Sequence, residues 1–181
     1  MRSLVLSDEV KYVGAYAFSG CSFLTDVRVD GECVIGKGAF FVSTELSEVR
    51  LPHVTEIGAH AFSGCDELYM AVLPEKAPVL GEYAFDGTSA AVLYPMGGTG
   101  YDDPSFSDVY TEEYIPGDVD GDGICNIGDV THLLKYIAGW NDISLRRYSA
   151  DVNTDRKNDI NDVLDILKYI AQWDIVMGIS L

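Results

Sequence analysis

The sequence predicts a mixed fold class, in which an N-terminal solenoid of short β-strands and turns precedes an all-α module of two loop-helix motifs. Two internal repeats predict it. The motif Gly-x-x-Ala-Phe occurs four times at intervals of 22, 22 and 23 residues, ending at Phe18, Phe40, Phe62 and Phe85. A segment of 24 residues beginning at Gly117 returns at Ala150 with an offset of 33 residues. A period of about 22 residues is typical of a solenoid.

Each Ala-Phe pair is followed by a small-residue turn, a leucine and an alternating strand. The strands are expected at 4–6, 27–29, 49–51 and 71–73, with a degenerate one at 91–93. One coil of about 22 residues cannot bury its own apolar face, so neighbouring coils must cover it. We expect the solenoid of about four coils to span 1–96, a cap and tether to span 97–114, where glycines and Pro104 break the period, and the helical module to span 115–181.

The repeat itself has a recognisable consensus. Its pattern IGxxAFxxCxxLxxVxLP is clearest between Val54 and Pro74 and resembles the leucine-rich repeat of bacterial surface proteins. The resemblance implies one short strand per coil on one flank of the solenoid. It also implies a role in binding a protein or another ligand, whose identity the repeat does not specify.

Oxygen-bearing side chains alternate at the start of each copy of the second repeat. They fall at positions 1, 3, 5, 9 and 12 of a twelve-residue loop, and position 7 supplies a backbone carbonyl, which is the ligand spacing of an EF-hand. The predicted ligands are Asp118, Asp120, Asp122, Ile124, Asn126 and Asp129 in the first loop, and Asp151, Asn153, Asp155, Lys157, Asp159 and Asp162 in the second. We therefore expect two Ca²⁺ ions. Because four carboxylates crowd each loop, we expect the segment to unfold without them.

Two features depart from the usual EF-hand loop. The sixth position normally needs glycine for its positive φ; Gly123 meets this need, whereas Arg156 in the second loop does not. The twelfth residue is Asp129 or Asp162 instead of glutamate, so its carboxylate is one methylene shorter. The helix that carries it must therefore lie closer to the ion, and the second site is expected to be the weaker one.

The pattern DxDxDGxxNxxD followed by LLKYI, present in duplicate, resembles a type I dockerin. Dockerins are the modules through which cellulosomal subunits bind the cohesin domain of a scaffoldin. The resemblance implies cohesin contacts from the tenth and eleventh loop positions and from a pair later in each helix. Those positions are Ile127, Gly128, Leu134 and Lys135 in the first copy, and Ile160, Asn161, Leu167 and Lys168 in the second.

Each predicted helix carries two adjacent stripes at helical spacing. The first stripe comprises Val130, Leu133, Ile137 and Trp140, repeated as Val163, Ile166, Ile170 and Trp173. The second stripe comprises Ile127, Thr131, Leu134, Lys135 and Ala138, repeated as Ile160, Leu164, Leu167, Lys168 and Ala171. Either both stripes form one wide core face, or the first packs the helices together and the second contacts a partner. With Gly128 and Asn161, the second stripe forms the predicted partner-binding set.

Composition narrows the function. A net charge of −17 argues against nucleic acid and anionic membranes as partners, and no apolar run approaches the 18 residues of a membrane-spanning helix. The four cysteines lack metal-site spacing; Cys21 and Cys65 occupy one slot of the repeat, with Ser43 between them, and buried or incidental thiols are expected. The apolar segments before the first loop (114–116) and after the second helix (175–177) are expected to pack together.

No catalytic motif is present, since none of the three histidines lies in a nucleophile or metalloprotease pattern. We expect a noncatalytic, extracellular, cellulosome- or cell-surface-associated subunit that joins a scaffoldin. The alternative is the accessory C-terminal part of a secreted polysaccharide-degrading enzyme or protease, with its catalytic domain upstream of Met1. A free-standing calcium sensor is a third class, disfavoured because no helix is predicted before the loops.

Overall fold

The computed structural model describes residues 2–141, 143–153, 155 and 157–172. The chain forms two compact units, Met1–Glu113 and Tyr114–Leu181. The first unit contains the strands and one 3₁₀ helix, and the second holds the α-helices.

The first five strands of the larger sheet in the first unit are those that the alternating pattern predicts. Its order is β1-β3-β5-β7-β9-β10, and the first five strands are parallel. These strands are β1 (Ser3–Leu6), β3 (Asp26–Val29), β5 (Glu48–Arg50), β7 (Met70–Val72), β9 (Ala91–Pro95) and β10 (Tyr110–Tyr114). One register column points into the core and consists of the buried residues Leu4, Val27, Val49, Ala71 and Val92. The stacking of inward residues between coils is thus confirmed.

A second sheet accompanies the first, so each coil has two strands where the repeat resemblance implied one. Its order is β2-β4-β6-β8, all parallel. The strands are β2 (Tyr12–Val13), β4 (Cys33–Ile35), β6 (Val54–Ile57) and β8 (Val79–Leu80). They are only two to four residues long, and two-residue strands leave no period for a sequence pattern to show.

The Gly-x-x-Ala-Phe segments form the turns that stack one coil on the next. In each coil pair three N–H groups donate to three carbonyls of the following coil, as from Tyr16, Phe18 and Gly20 to Lys37, Ala39 and Phe41 at 2.7 to 2.9 Å. The four phenylalanines stack at 5.2 to 5.3 Å between ring centroids. The motif therefore provides hydrogen bonds for the turn backbone, and its phenylalanine side chains pack in the core.

The end of the first unit is an irregular cap. Pro104–Phe106 is a 3₁₀ helix whose N-cap Asp103 accepts a bond from the Ser105 N–H. Phe106 and Tyr101 are buried with the solenoid core. The structure differs from the expected tether at its end, because residues 110–114 extend the larger sheet as β10. The β-prone Tyr110 and Thr111 explain this strand, which shows no clean alternation.

The second unit contains two equivalent helices, α1 (Ile127–Ile137) and α3 (Ile160–Ile170), and a four-residue helix α2 (Arg147–Ala150) before the second loop. The sequence pattern did not predict α2, since a single turn is too short to show helical periodicity. Both long helices begin with a capping box, Asn126 with Asp129 and Asp159 with Asp162. Their core comprises Val119, Val130, Leu133, Ala150, Val152, Val163 and Ile166.

Two further features concern the whole described chain. None of the helices in the described ranges is long and apolar enough to cross a membrane. The four cysteines are free thiols. Cys65 and Ser43 are fully buried in their shared slot, and both donate to a carbonyl of the preceding coil, Phe40 and Phe18 respectively. The slot therefore selects a small donor, as Ser43 between two cysteines indicates.

Candidate functional site

The first loop is organised by Asp129, which is fully buried at the start of α1. One carboxylate oxygen accepts the Val119 N–H at 2.7 Å and the Asp120 N–H at 3.2 Å, while the other accepts the Asn126 N–H at 2.8 Å. The carboxylate thus ties both ends of the loop to the first turn of the helix. This placement is what a shorter twelfth residue requires.

The second loop repeats this arrangement around Asp162. Its carboxylate accepts the Asp159 N–H at 2.9 Å and the Asn153 N–H at 3.4 Å. The Lys157 N–H donates to Asp155 at 2.9 Å, as the Ile124 N–H does to Asp122 in the first loop. The duplicated sequence therefore produces duplicated loop geometry over the described residues.

Each loop gathers three carboxylates. Oxygens of Asp118, Asp120 and Asp129 lie within 4.8 Å of one another, and so do oxygens of Asp151, Asp155 and Asp162. A Ca²⁺ ion holds its oxygen ligands at about 2.3 to 2.6 Å, so two ligands on opposite sides of one ion lie about 5 Å apart. The carboxylates therefore fit a single ion of this kind in each loop.

The electrostatics of the second loop agree with this fit. The pKa of Asp162 is raised to about 6, mainly by burial and to a smaller extent by repulsion from Asp151 and Asp155, against hydrogen bonds that lower it. At neutral pH the ionised cluster thus opposes folding unless positive charge lies within it. A bound divalent cation supplies that charge.

The other predicted ligands lie around these clusters. Asp122 and Asp159 are outside the two groups of three. Asp122 is exposed. The Asn126 side chain accepts the Gly128 N–H at 2.6 Å and donates to the Ile124 carbonyl at 3.2 Å. Asn153 and Asp159 accept the N–H groups of Asp155 and Asn161. Gly123 has φ +88°, which accounts for glycine at the sixth position.

The structure leaves the second stripe of each helix exposed. On α1, Ile127 is 61 % and Leu134 41 % exposed; on α3, Ile160 is 51 %, Leu164 47 % and Leu167 37 % exposed. Thr131, Ala138, Asn161 and Ala171 are also exposed, whereas Gly128, Lys135 and Lys168 are half-buried. Of the two interpretations left open by the sequence, the single wide core face therefore does not form in the described structure.

On α1 the first stripe is correct only over its first two turns, whereas on α3 it extends to Ile170, which packs against the core. Val130, Leu133, Val163 and Ile166 are buried, but Ile137 is 40 % and Trp140 62 % exposed. Tyr136 packs against the core where the wheel placed Ile137. Trp140 follows the end of α1 at Ile137 and Gly139 has φ +71°, so the helical angle used for Trp140 no longer applies. Instead the Lys135 ammonium lies 5.8 Å from the Trp140 ring centroid.

Sequence reasoning missed one group beside the first loop. The Arg146 guanidinium lies 3.8 Å from the Asp118 carboxylate, and the backbone N–H of Arg146 donates to the Val119 carbonyl at 3.1 Å. Arg146 lies between the two copies, so no repeat pattern could indicate it. The predictions concerning Arg156, Trp173 and the segment 175–177 fall outside the described residues.

Fold and site together define a class: a leucine-rich solenoid joined to a pair of acidic loop-helix motifs. Residues 1–94 match the family model of the BspA type leucine rich repeat region in six copies, and residues 116–171 match that of the dockerin type I domain. The chain therefore belongs to the BspA-type leucine-rich-repeat family and carries a type I dockerin domain. Neither of these domains is catalytic.

The matches have general implications. Type I dockerin domains generally bind calcium and have cohesin domains as partners, and both domain types are typical of extracellular or cell-surface proteins. No curated protein matches the chain, and no solved structure matches it.

Proposed function

We propose that the protein is a noncatalytic, secreted subunit of a cellulosome-type assembly for polysaccharide degradation, and that it joins a scaffoldin through calcium-dependent binding of its dockerin domain to a cohesin. The twelve predicted loop residues hold two Ca²⁺ ions, one in each loop. When bound, these ions neutralise the clustered carboxylates and so stabilise the two loops that lead into α1 and α3. The solenoid binds a second protein or another ligand.

The observation that carries this proposal is the exposed, matched second stripe. Ile127 and Leu134 on α1 correspond to Ile160 and Leu167 on α3, and all four side chains are between 37 and 61 % exposed. Large apolar side chains grouped on a surface mark interaction sites. The buried first-stripe residues Val130 and Val163 already account for the packing of the two helices, so the second stripe is not needed for folding.

Basic groups border this apolar surface. The Lys168 ammonium bonds to Asp165 at 2.7 Å, and Lys135 lies over Trp140, so both lysines are held close to their helices. An apolar centre with a charged rim is the usual anatomy of a protein interface. The predicted set of Gly128, Thr131, Ala138, Asn161, Leu164 and Ala171 completes the surface around these residues.

The test is calorimetric titration of the whole chain with a type I cohesin, in the presence of Ca²⁺ and of a chelator. We expect binding with Ca²⁺ and none with the chelator. A matched control replaces two exposed apolar residues of the solenoid, Val5 and Val79, by glutamate. This control should retain full affinity, whereas equal affinity with and without Ca²⁺, or no binding to any cohesin tested, would overturn the proposal.

A further inference from the structure

The solenoid ends with an unused row of hydrogen-bond donors. In the three coil pairs, the turn N–H groups of one coil donate to carbonyls of the next. The last pair consists of bonds from His60, Phe62 and Gly64 to Glu82, Ala84 and Asp86, at 2.8 to 3.0 Å. Tyr83, Phe85 and Gly87 hold the donor positions in the final coil. Among the described residues, no hydrogen-bond acceptor is found for these three N–H groups.

The final coil has the same backbone conformation as the coils before it. Tyr83 has φ +59° and His60 φ +56°, and Gly87 has φ +72° where Gly64 has φ +71°. Because the conformations agree, the three free N–H groups point along the solenoid axis, away from the preceding coil. The Leu80 carbonyl is a further backbone group at this end. In the preceding coils the equivalent carbonyls, those of Ile35 and Ile57, accept the N–H groups of Gly58 and Gly81 of the next coil.

A cleft lies at this end of the solenoid. Its volume is about 500 Å³, and it is lined by residues 80–88 of the final coil and by residues of the cap. The cap side is formed by Pro104, Ser105, Ser107, Asp108 and Val109. The cleft therefore contains the unused donors on one wall, and its size is within the range of about 300 to 1,000 Å³ usual for ligand sites.

The charge of the cleft indicates its occupant. Three acidic residues, Glu82, Asp86 and Asp108, line it, and no basic residue does among those described. All three are exposed, so their charge acts on whatever enters. A ligand must therefore present carbonyls at alternate backbone positions together with positive side chains.

We propose that this cleft binds a lysine- or arginine-rich peptide segment, which adds its main chain to the end of the solenoid. Three alternate carbonyls of the peptide accept from Tyr83, Phe85 and Gly87, in the way that the next coil does elsewhere in the repeat. The basic side chains lie against Glu82, Asp86 and Asp108.

Nuclear magnetic resonance of the full chain with Ca²⁺ tests this directly. The probe is an acetylated and amidated heptapeptide of alternating lysine and threonine, added at 150 mM salt. Addition of the peptide should shift the amide resonances of Tyr83, Phe85 and Gly87 downfield and slow their hydrogen exchange at least tenfold. Shifts spread over other acidic surfaces, with these three amides unchanged, would overturn the proposal.

A matched pair of variants separates this site from general attraction to an acidic protein. The first combines Glu82→Gln, Asp86→Asn and Asp108→Asn. The second combines Glu9→Gln, Glu45→Gln and Glu67→Gln, three exposed acids of the same unit, and so removes the same charge. The first variant should lose at least tenfold in peptide affinity and the second less than threefold. Equal losses would contradict a specific site.

A second copy of the chain is the competing occupant. The first coil presents carbonyls of Ala15, Ala17 and Ser19, for which no donor is found among the described residues, and these match the free donors of the last coil. If a copy docks there, protection of Tyr83, Phe85 and Gly87 will increase with protein concentration in the absence of peptide. That result would overturn the peptide proposal, and concentration-independent exchange supports it.

Discussion

The two units of the chain differ in the interactions that stabilise each of them. Among the described residues, the solenoid core comprises 26 buried apolar side chains, from Leu4 to Phe106, and its coils are joined by regular backbone bonds. The helical unit has a core of seven. It also buries four carboxylates, those of Asp118, Asp129, Asp151 and Asp162.

This difference shows where each unit obtains its stability. The solenoid combines burial of apolar surface with satisfied backbone groups, so its folding needs no ion. The helical unit gains less from apolar burial and must offset repulsion among acids that are taken out of water. Removing the ions should therefore unfold the helical unit and leave the solenoid folded.

Chelation of Ca²⁺ is the largest expected perturbation. Hydrogen exchange of the full chain, followed by mass spectrometry, should show peptides from α1 and α3 losing nearly all protection after a chelator is added. Peptides from β3, β5 and β7 should keep theirs. A helical unit that keeps its protection in chelator would mean that its small core suffices alone, and loss of protection throughout would mean that the units are not independent.

The duplicated second stripe gives the next largest effect. Ile160 and Leu167 of α3 correspond to Ile127 and Leu134 of α1, so we expect a cohesin to accept either helix after rotation of the domain by 180°. Glutamate at Ile127 and Leu134 together should leave cohesin affinity within about tenfold, or 1.4 kcal/mol. Glutamate at Ile160 and Leu167 should do the same, and all four changes should abolish binding.

The outcome decides how many binding faces the domain has. If one double variant alone abolishes binding while the other has no effect, the dockerin has a single face and the symmetry is not used. The unequal pair of Gly128 and Asn161 is then the first place to look for the cause. Circular dichroism with Ca²⁺ should show unchanged helix content in every variant, since these side chains are exposed.

Within the first loop, two carboxylates should differ in their effect on stability. Asp129→Ala removes a buried group that accepts three backbone N–H bonds, and it should lower the free energy of unfolding of the helical unit in Ca²⁺ by about 3 kcal/mol. Asp122→Ala removes an exposed group, so it should cost about 1 kcal/mol or less. Equal costs in thermal unfolding would contradict the central role of Asp129.

Much of this structure follows from sequence periodicity. The inward positions Val27, Val49 and Ala71 recur with the repeat, and the duplicated loops place Asp129 and Asp162 at the start of helices, as their spacing predicts. Repetition is informative because each copy tests the interpretation of the others. For the same reason, features present once were missed, including helix α2 and the Arg146 guanidinium beside Asp118.

Other failures arise where the regular geometry assumed by the pattern ends. The helical wheel placed Trp140 on the buried stripe, but α1 ends at Ile137 and Trp140 is exposed. The two-residue strands β2 and β8 are defined by pairing with a neighbouring coil, which is information that no single coil contains. The backbone dihedral angles of the turns could not be predicted from the sequence either. In one turn a β-branched residue has a strained, positive φ.

That residue is Val42, whose φ of +54° lies in the left-handed region. The equivalent positions in the other coils are Gly20, Gly64 and Gly87, with φ between +69° and +72°. A β-branched residue is strained in this conformation, whereas glycine adopts it freely. The Val42 N–H donates to the Ser63 carbonyl at 2.9 Å, so the coil ladder holds the residue there.

Val42→Gly should therefore stabilise the solenoid by about 1 kcal/mol, since relief of strain exceeds the small loss of a side chain that is 41 % exposed. Gly64→Ala is the matched opposite change, because it places a side chain at φ +71° and 3.3 Å from the Val42 Cγ2. It should destabilise the solenoid by a similar amount. Denaturant unfolding in the presence of a chelator measures both changes on the solenoid alone. A destabilised Val42→Gly variant would show that Val42 contributes packing that outweighs its backbone strain, and that the solenoid depends on surface side chains as well as on its core.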